Sequence, residues 1–168
     1  MIVSENWLAH RVQRYHTNLH LARFGQTTAD HAHGVVSIIL LLHPEPSMSL
    51  VRAAMWHDAG ERFAGDLPSP FKMMFPQVAR DHRAAEARLA LRAAPVAPML
   101  TEDEEMWLSM ADGLEACLYC ALNKPDLLIR EDWAGHLRAV IAKAEKLGVM
   151  EQVARAVELV AAEGGARG

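Results

Sequence analysis

The longest uninterrupted helical pattern in the chain does most to limit its fold. Thr101, followed three residues later by Glu104, has the form of a capping box, in which each side chain satisfies a backbone N–H of the other at a helix start. From there to Leu122, apolar residues recur at helical spacing as Trp107, Met110, Ala111, Leu114, Cys117, Leu118 and Ala121, the stripe of a helix buried on one side. Asp112 lies at the edge of that stripe. An unpaired carboxylate beside apolar neighbours is costly, so this one wants a cation. Elsewhere Ala and Leu dominate and β-branched runs are few. These features predict an all-α fold: a compact single-domain helical bundle over 1–168, a length that suits one full core.

Caps and prolines divide the remainder. Ser4 caps a helix from Glu5 to about Arg14, and RYHTNLHLARFGQT reads as a loop. Thr28 is the expected cap of a second helix that reaches His43 and stops before Pro44. Ser49 is the expected cap of LVRAAMWHDA, which ends near Gly60. ERFAGDLPSPFKMMFP is a loop with one short helical turn, pinned by Pro68, Pro70 and Pro76. A fourth helix covers Gln77 to Ala94, its charges on a solvated face, and is ended by Pro95 and Pro98. After the capped fifth helix, a sixth region closes at Gly148, MEQVARAVELVAAE forms a seventh, and GGARG frays. Residues 126–162 carry no motif and read as packing and assembly surface.

Charge excludes one class of partner. A net charge of -4 and a pI near 6.1 give no concentrated basic surface for a nucleic-acid polymer. No run approaches the ~20 apolar residues of a membrane span, and MIVSENWLAHR lacks the form of a signal sequence. The expectation is a cytoplasmic protein with no membrane partner. Cys117 and Cys120 have no second cysteine pair with which to complete a thiolate zinc site and read as core thiols.

The chemistry concentrates in WHDAGERFAGDLPSPFK. His57 and Asp58, adjacent at a helix terminus, diverge by ~100° about the axis and reach one ion only if it lies at the helix end. His31 shares a helical face with Val35, Ile38 and Leu42 and points inward, whereas His33, two positions on, faces away. A lone inward histidine is usually a hydrogen-bonded core residue, and only together with further donors does His31 point to a metal. His31, His57, Asp58 and Asp112 form a mixed nitrogen and oxygen donor set suited to Co, Mn or Zn, with Glu61 three residues past Asp58 to orient or deprotonate a water. Lys72 is the only lysine among the first 123 residues. Arg14 beside Tyr15 pairs a guanidinium with a ring, a combination that can meet a phosphate and a sugar or base together.

The order His31, then His57 and Asp58 after 26 residues, then Asp112 after 54 more, resembles the H…HD…D pattern of HD-domain metal-dependent phosphohydrolases. HDAGERFAGDLPSPFK is similar to a stretch of the bacterial HD-domain 5′-deoxynucleotidases, and RYHT is similar to phage-type HD hydrolases that include dATP triphosphohydrolases. The resemblance covers roughly residues 11–122. It implies an HD-type bundle in which His31, His57, Asp58 and Asp112 hold the metal and Glu61 acts on the water or leaving group. Arg14 would contact phosphate, Tyr15 would pack on the deoxyribose, Asp66 would hold the 3′-hydroxyl and Lys72 would approach the phosphates.

The implied activity is hydrolysis of a deoxynucleotide's 5′ phosphoester. RYHT and the short chain lean toward release of triphosphate from dATP, with Mg accompanying the substrate. The alternative is a 5′-deoxynucleotidase acting on monophosphates, and a third reading is a non-catalytic nucleotide-binding module. The resemblance also implies a homo-oligomer, dimer or hexamer. Asp30 stands where the family usually has Glu, and Tyr15 where it commonly has Trp.

Overall fold

A computed structural model describes residues 2–94 and 99–166, with only the backbone at 69 and 70. Among the described residues all regular structure is helical: α1 Ile2–Ala9, α2 Thr28–Leu42, α3 Met48–Trp56, α4 Glu61–Ala64, α5 Ser69–Met74, α6 Pro76–Ala90, α7 Glu102–Asn123, α8 Glu131–Lys146 and α9 Met150–Ala166, with single 3-10 turns at Ala22–Phe24 and Pro125–Leu127. None of these helices is long and apolar enough to cross a membrane. The chain divides into two compact units, one of Met1–His33 with Met55–Met99, the other of Gly34–Ala54 with Leu100–Gly168.

In the first unit, α1 starts earlier than its sequence suggests and stops at Ala9. The carbonyls of His10 and Val12 accept from the N–H groups of Ala29 and Thr28, at 3.1 and 2.9 Å, so this backbone serves the start of α2 and cannot continue α1. The segment read as a loop is tied to itself, with Arg14 N–H donating to the Gln26 carbonyl at 2.9 Å and a bridge between Gln13 and Thr27. Thr27, rather than Thr28, caps α2. Its N–H and hydroxyl donate to Asp30 Oδ2 at 2.9 and 2.7 Å, and these bonds hold the Asp30 carboxyl below its ordinary range. Thr28 turns inward and donates its hydroxyl to the Ala9 carbonyl at 2.8 Å. Ala9, Ala59 and Ala93 form a small core with Trp56 against it.

The predicted loop after Gly60 contains two short helices, α4 and α5. The fourth predicted helix ends at Ala90, four residues early, with a turn over 91–93. Pro95 and Pro98 lie outside the described residues.

The second unit is built on α7. Its capping box is present: Thr101 N–H donates to Glu104 Oε2 at 2.9 Å and Glu104 N–H to Thr101 Oγ1 at 3.2 Å. Ser47, not Ser49, caps α3, accepting from Leu50 N–H at 3.1 Å while its hydroxyl donates to Glu104. Met110, Ala111, Leu114, Cys117 and Ala121 are buried as the stripe predicts, and burial pushes both thiols up to about 12, which leaves them as inert core groups. Helix α9 packs against α7 and runs to Ala166, where the sequence suggested fraying. Gly164 explains the difference. A Cβ there would stand 2.3 Å from the Ala121 carbonyl and 2.6 Å from that of Leu122, so glycine lets the two helix backbones touch.

Candidate functional site

Helix α2 carries His31 into the first unit on its buried face, which continues as Val35 and Ile39, all three fully buried. His33 is exposed, as its rotation requires. The chain leaves α3 at Trp56, so His57 and Asp58 occupy the turn beyond it and are freed from the divergence a helix would impose. Across this turn His31 Nε2 and His57 Nε2 lie 3.1 Å apart. The carboxylate of Asp58 reaches both rings, with Oδ2 3.5 Å from His31 Nε2 and Oδ1 3.3 Å from His57 Nε2.

Two imidazole nitrogens facing one another beside a carboxylate fit a shared divalent ion. Ligand nitrogens at the usual bond length of ~2.0–2.1 Å from such an ion stand roughly 3 Å apart. Asp112, the remaining residue of the predicted set, lies half-buried at the edge of the apolar stripe on α7, in the second unit.

Next to Asp58 the site turns acidic. Asp58, Glu61 and Glu86 each place an oxygen within 4.8 Å of the others. Glu61 is only 7% exposed, and its Oε2 has no hydrogen-bond partner. Burial first, then the charges of Asp58 and Asp66, push its carboxyl up to about 9, against a smaller downward pull from Arg14. Glu86 is also raised, by burial and by Asp58, with Lys72 and His82 opposing. Each positive charge brought against these carboxylates draws the values back down.

Glu86 was not legible as a site residue, because α6 reads as a charged outer helix. Its signal was positional. Ala79, His82, Glu86 and Ala90 fall at helical spacing and are its half-buried face. Gly60 brings that face close, since a Cβ there would meet the Glu86 carbonyl at 2.3 Å.

Of the other predicted residues, Arg14 and Asp66 act electrostatically on Glu61, and Lys72 and Asp66 on Glu86. Arg14 Nη1 donates to Gln26 Oε1 at 3.1 Å, and its guanidinium carbon lies 5.2 Å from the centre of the Tyr15 ring. Tyr15 holds a φ of 57°, the single positive value among the described residues other than glycine. Such backbone strain concentrates at functional sites. Lys72 Nζ stands 3.5 Å from Asp66 Oδ1.

Against known proteins, the chain is 36% identical over 81 residues to a 5′-deoxynucleotidase of Cronobacter sakazakii. Over the same length it is 31% identical to a 5′-deoxynucleotidase of an Enterobacter species and 32% identical to the 5′-deoxynucleotidase YfbR of Salmonella paratyphi B. Each match takes in 40% of this chain and 41% of the relative, so the chain spans about two fifths of the length of the curated relatives it matches. No family model and no solved structure matches it. These partial homologues agree with the HD-domain phosphohydrolase resemblance.

Proposed function

We propose that the chain hydrolyses the 5′ phosphoester of deoxynucleoside monophosphates, releasing the deoxynucleoside and orthophosphate. The observation that carries this reading is the pair of facing histidine nitrogens, 3.1 Å apart, with Asp58 on both and a buried Glu61 beside them. His31, His57 and Asp58 would hold a divalent ion, with Asp112 the fourth ligand implied by the H…HD…D order. Such an ion supplies a water activated at neutral pH and neutralises charge developing on the phosphoryl group.

The chain's own groups do the rest. Arg14 binds the phosphate through its guanidinium fork, and Tyr15, locked beside it by its backbone, packs on the deoxyribose and discriminates against a 2′-hydroxyl. Asp66 receives the 3′-hydroxyl, and Lys72 orients that carboxylate while facing the phosphate. Glu61 holds a proton in the bare site at neutral pH, its value being about 9. That value falls as positive charge gathers at Asp58, which brings Glu61 into the range where one group takes a proton from the attacking water and returns it to the leaving 5′-oxygen.

A triphosphohydrolase acting on dATP is the second reading, favoured by RYHT. Two observations place it below the first. The relatives are named 5′-deoxynucleotidases, and the full positive charges that act on Glu61 and Glu86 are Arg14 and Lys72, few for a triphosphate.

Product analysis of the purified protein with Mn, Co or Zn, against deoxy- and ribonucleoside mono- and triphosphates, tests both. Orthophosphate from deoxynucleoside monophosphates, with slower turnover of the ribonucleotides, is expected. Triphosphate from dATP would establish the second reading, and no product with any metal would leave a nucleotide-binding module.

A further inference from the structure

Gln26 is polar, only 4% exposed, and has no part in the proposed reaction. Burying a side-chain amide is unfavourable unless its polar atoms find partners. The partner of its oxygen is Arg14, whose Nη1 donates to Gln26 Oε1 at 3.1 Å.

The fold has other ties at this place. The two backbone segments are joined by Arg14 N–H to the Gln26 carbonyl at 2.9 Å, by Thr28 N–H to the Val12 carbonyl at 2.9 Å and by the bridge between Gln13 and Thr27. Side chains brace the loop between them: Gln13 Nε2 donates to the Ala22 carbonyl at 2.9 Å, and Asn18 Oδ1 accepts from the N–H groups of His20 and Leu21 at 2.9 and 3.1 Å. What the Gln26 side chain adds to these is a fixed heading for the Arg14 guanidinium.

That heading matters to a phosphate. A guanidinium meets phosphate oxygens through two parallel N–H bonds, so the tilt of its plane counts as much as its position. An arginine on a free stem must give up much rotamer freedom to reach such a pose. Here Nη1 is held by Gln26, and the guanidinium carbon lies 5.2 Å from the centre of the Tyr15 ring, so two contacts set the plane before a ligand arrives. The same guanidinium acts on Glu61, which puts it within electrostatic reach of the reacting side of the site. We propose that Gln26 is a positioning residue whose amide oxygen presets the Arg14 fork for the phosphate of the substrate, reducing the ordering left to be done at binding. This inference rests on the proposed function in seating a phosphate at Arg14.

The test compares two ligands by calorimetric titration into the full chain loaded with Mn(II). One is the 5′-phosphonate analogue of deoxyadenosine monophosphate, in which a methylene group replaces the bridging oxygen and prevents hydrolysis; the other is deoxyadenosine, which has no phosphate. Gln26→Leu should weaken the phosphonate ~10-fold, the size of a hydrogen bond to a charged group, and leave the affinity for deoxyadenosine unchanged. Gln26→Glu keeps an acceptor oxygen in the same place and should recover most of that loss. In an Arg14→Ala background, Gln26→Leu should add nothing. Unaltered phosphonate affinity in Gln26→Leu, equal weakening of both ligands, a further loss in the Arg14→Ala background, or a Gln26→Glu protein as weak as Gln26→Leu overturns this inference alone. A phosphonate affinity that does not respond to Arg14→Ala overturns the phosphate role of Arg14 and this inference with it, so the two failures are told apart.

Discussion

The two units bury different kinds of side chain. Among the described residues, four of the five buried polar or charged groups, Gln26, Thr28, His31 and Glu61, belong to the first unit, whose apolar core is mostly alanine. The second unit buries Leu50, Met110, Leu114, Val140 and Val153, and Glu115 is the one buried charge among its described residues. Its longest helix starts with a complete capping box, while the first unit carries the positive φ of Tyr15 and the unpartnered Glu61 oxygen. Large apolar side chains supply stability through burial. A unit that places an imidazole and a carboxylate in its interior gives up part of that term, and most residues of the proposed site belong to the first unit, with Asp112 in the second.

The largest effect that sharpens the contrast is expected from Asp58→Ala. It removes a carboxylate that lies 3.3 and 3.5 Å from the two histidines and also belongs to the acidic cluster. Turnover should fall on the order of a thousandfold, and metal content measured on the same preparation should drop with it. Undiminished activity in metal-free buffer would end the metal assignment.

A matched pair of glycine changes probes the units against each other. Gly60→Ala and Gly164→Ala each drive a Cβ to 2.3 Å from a backbone carbonyl, that of Glu86 or that of Ala121. Both should cost about 1–3 kcal/mol in urea unfolding, as overpacking does. Only Gly60→Ala should also slow turnover, because only it disturbs the turn that carries Asp58 and Glu61; equal effects on turnover would erase the distinction between the units.

The smallest effect is one of pH on the metal-free protein. Glu61 sits at about 9 in the folded chain, above its ordinary 4.5. Between those values the native state keeps a proton that the unfolded chain releases, so its contribution is fully present below the lower value and is lost as pH rises through the upper. Glu86 is shifted in the same direction. Thermal scans should show the melting temperature falling from pH 6 toward pH 9, with a shallower fall in Glu61→Gln, which has no proton to lose. A parallel slope in the variant would show that Glu61 is not the source.

Features that depend on neighbours within a turn or two could be read from the chain. The Thr101 and Glu104 box, the inward His31, the outward His33 and the buried Cys117 and Cys120 all follow from helical spacing, and the structure has them. Caps were less secure. Ser47 and Ser49, or Thr27 and Thr28, offer the same hydroxyl, and the choice fell to Glu104 and Asp30, whose side chains bond one of each pair. The end of α9 depended on distant backbone at Ala121, which no local rule for glycine anticipates.

The sequence by itself determined the all-helical class, the types of donor and their order along the chain, because periodicity and residue chemistry are local properties. Tertiary structure alone decided that Glu86 joins Asp58 and Glu61, and that Glu61 lies buried with an oxygen unanswered. The reason is physical. That grouping hangs on α6 meeting the turn at Gly60 across 26 residues of sequence. The energies that matter there, desolvation and the repulsion of like charges, depend on distance in space.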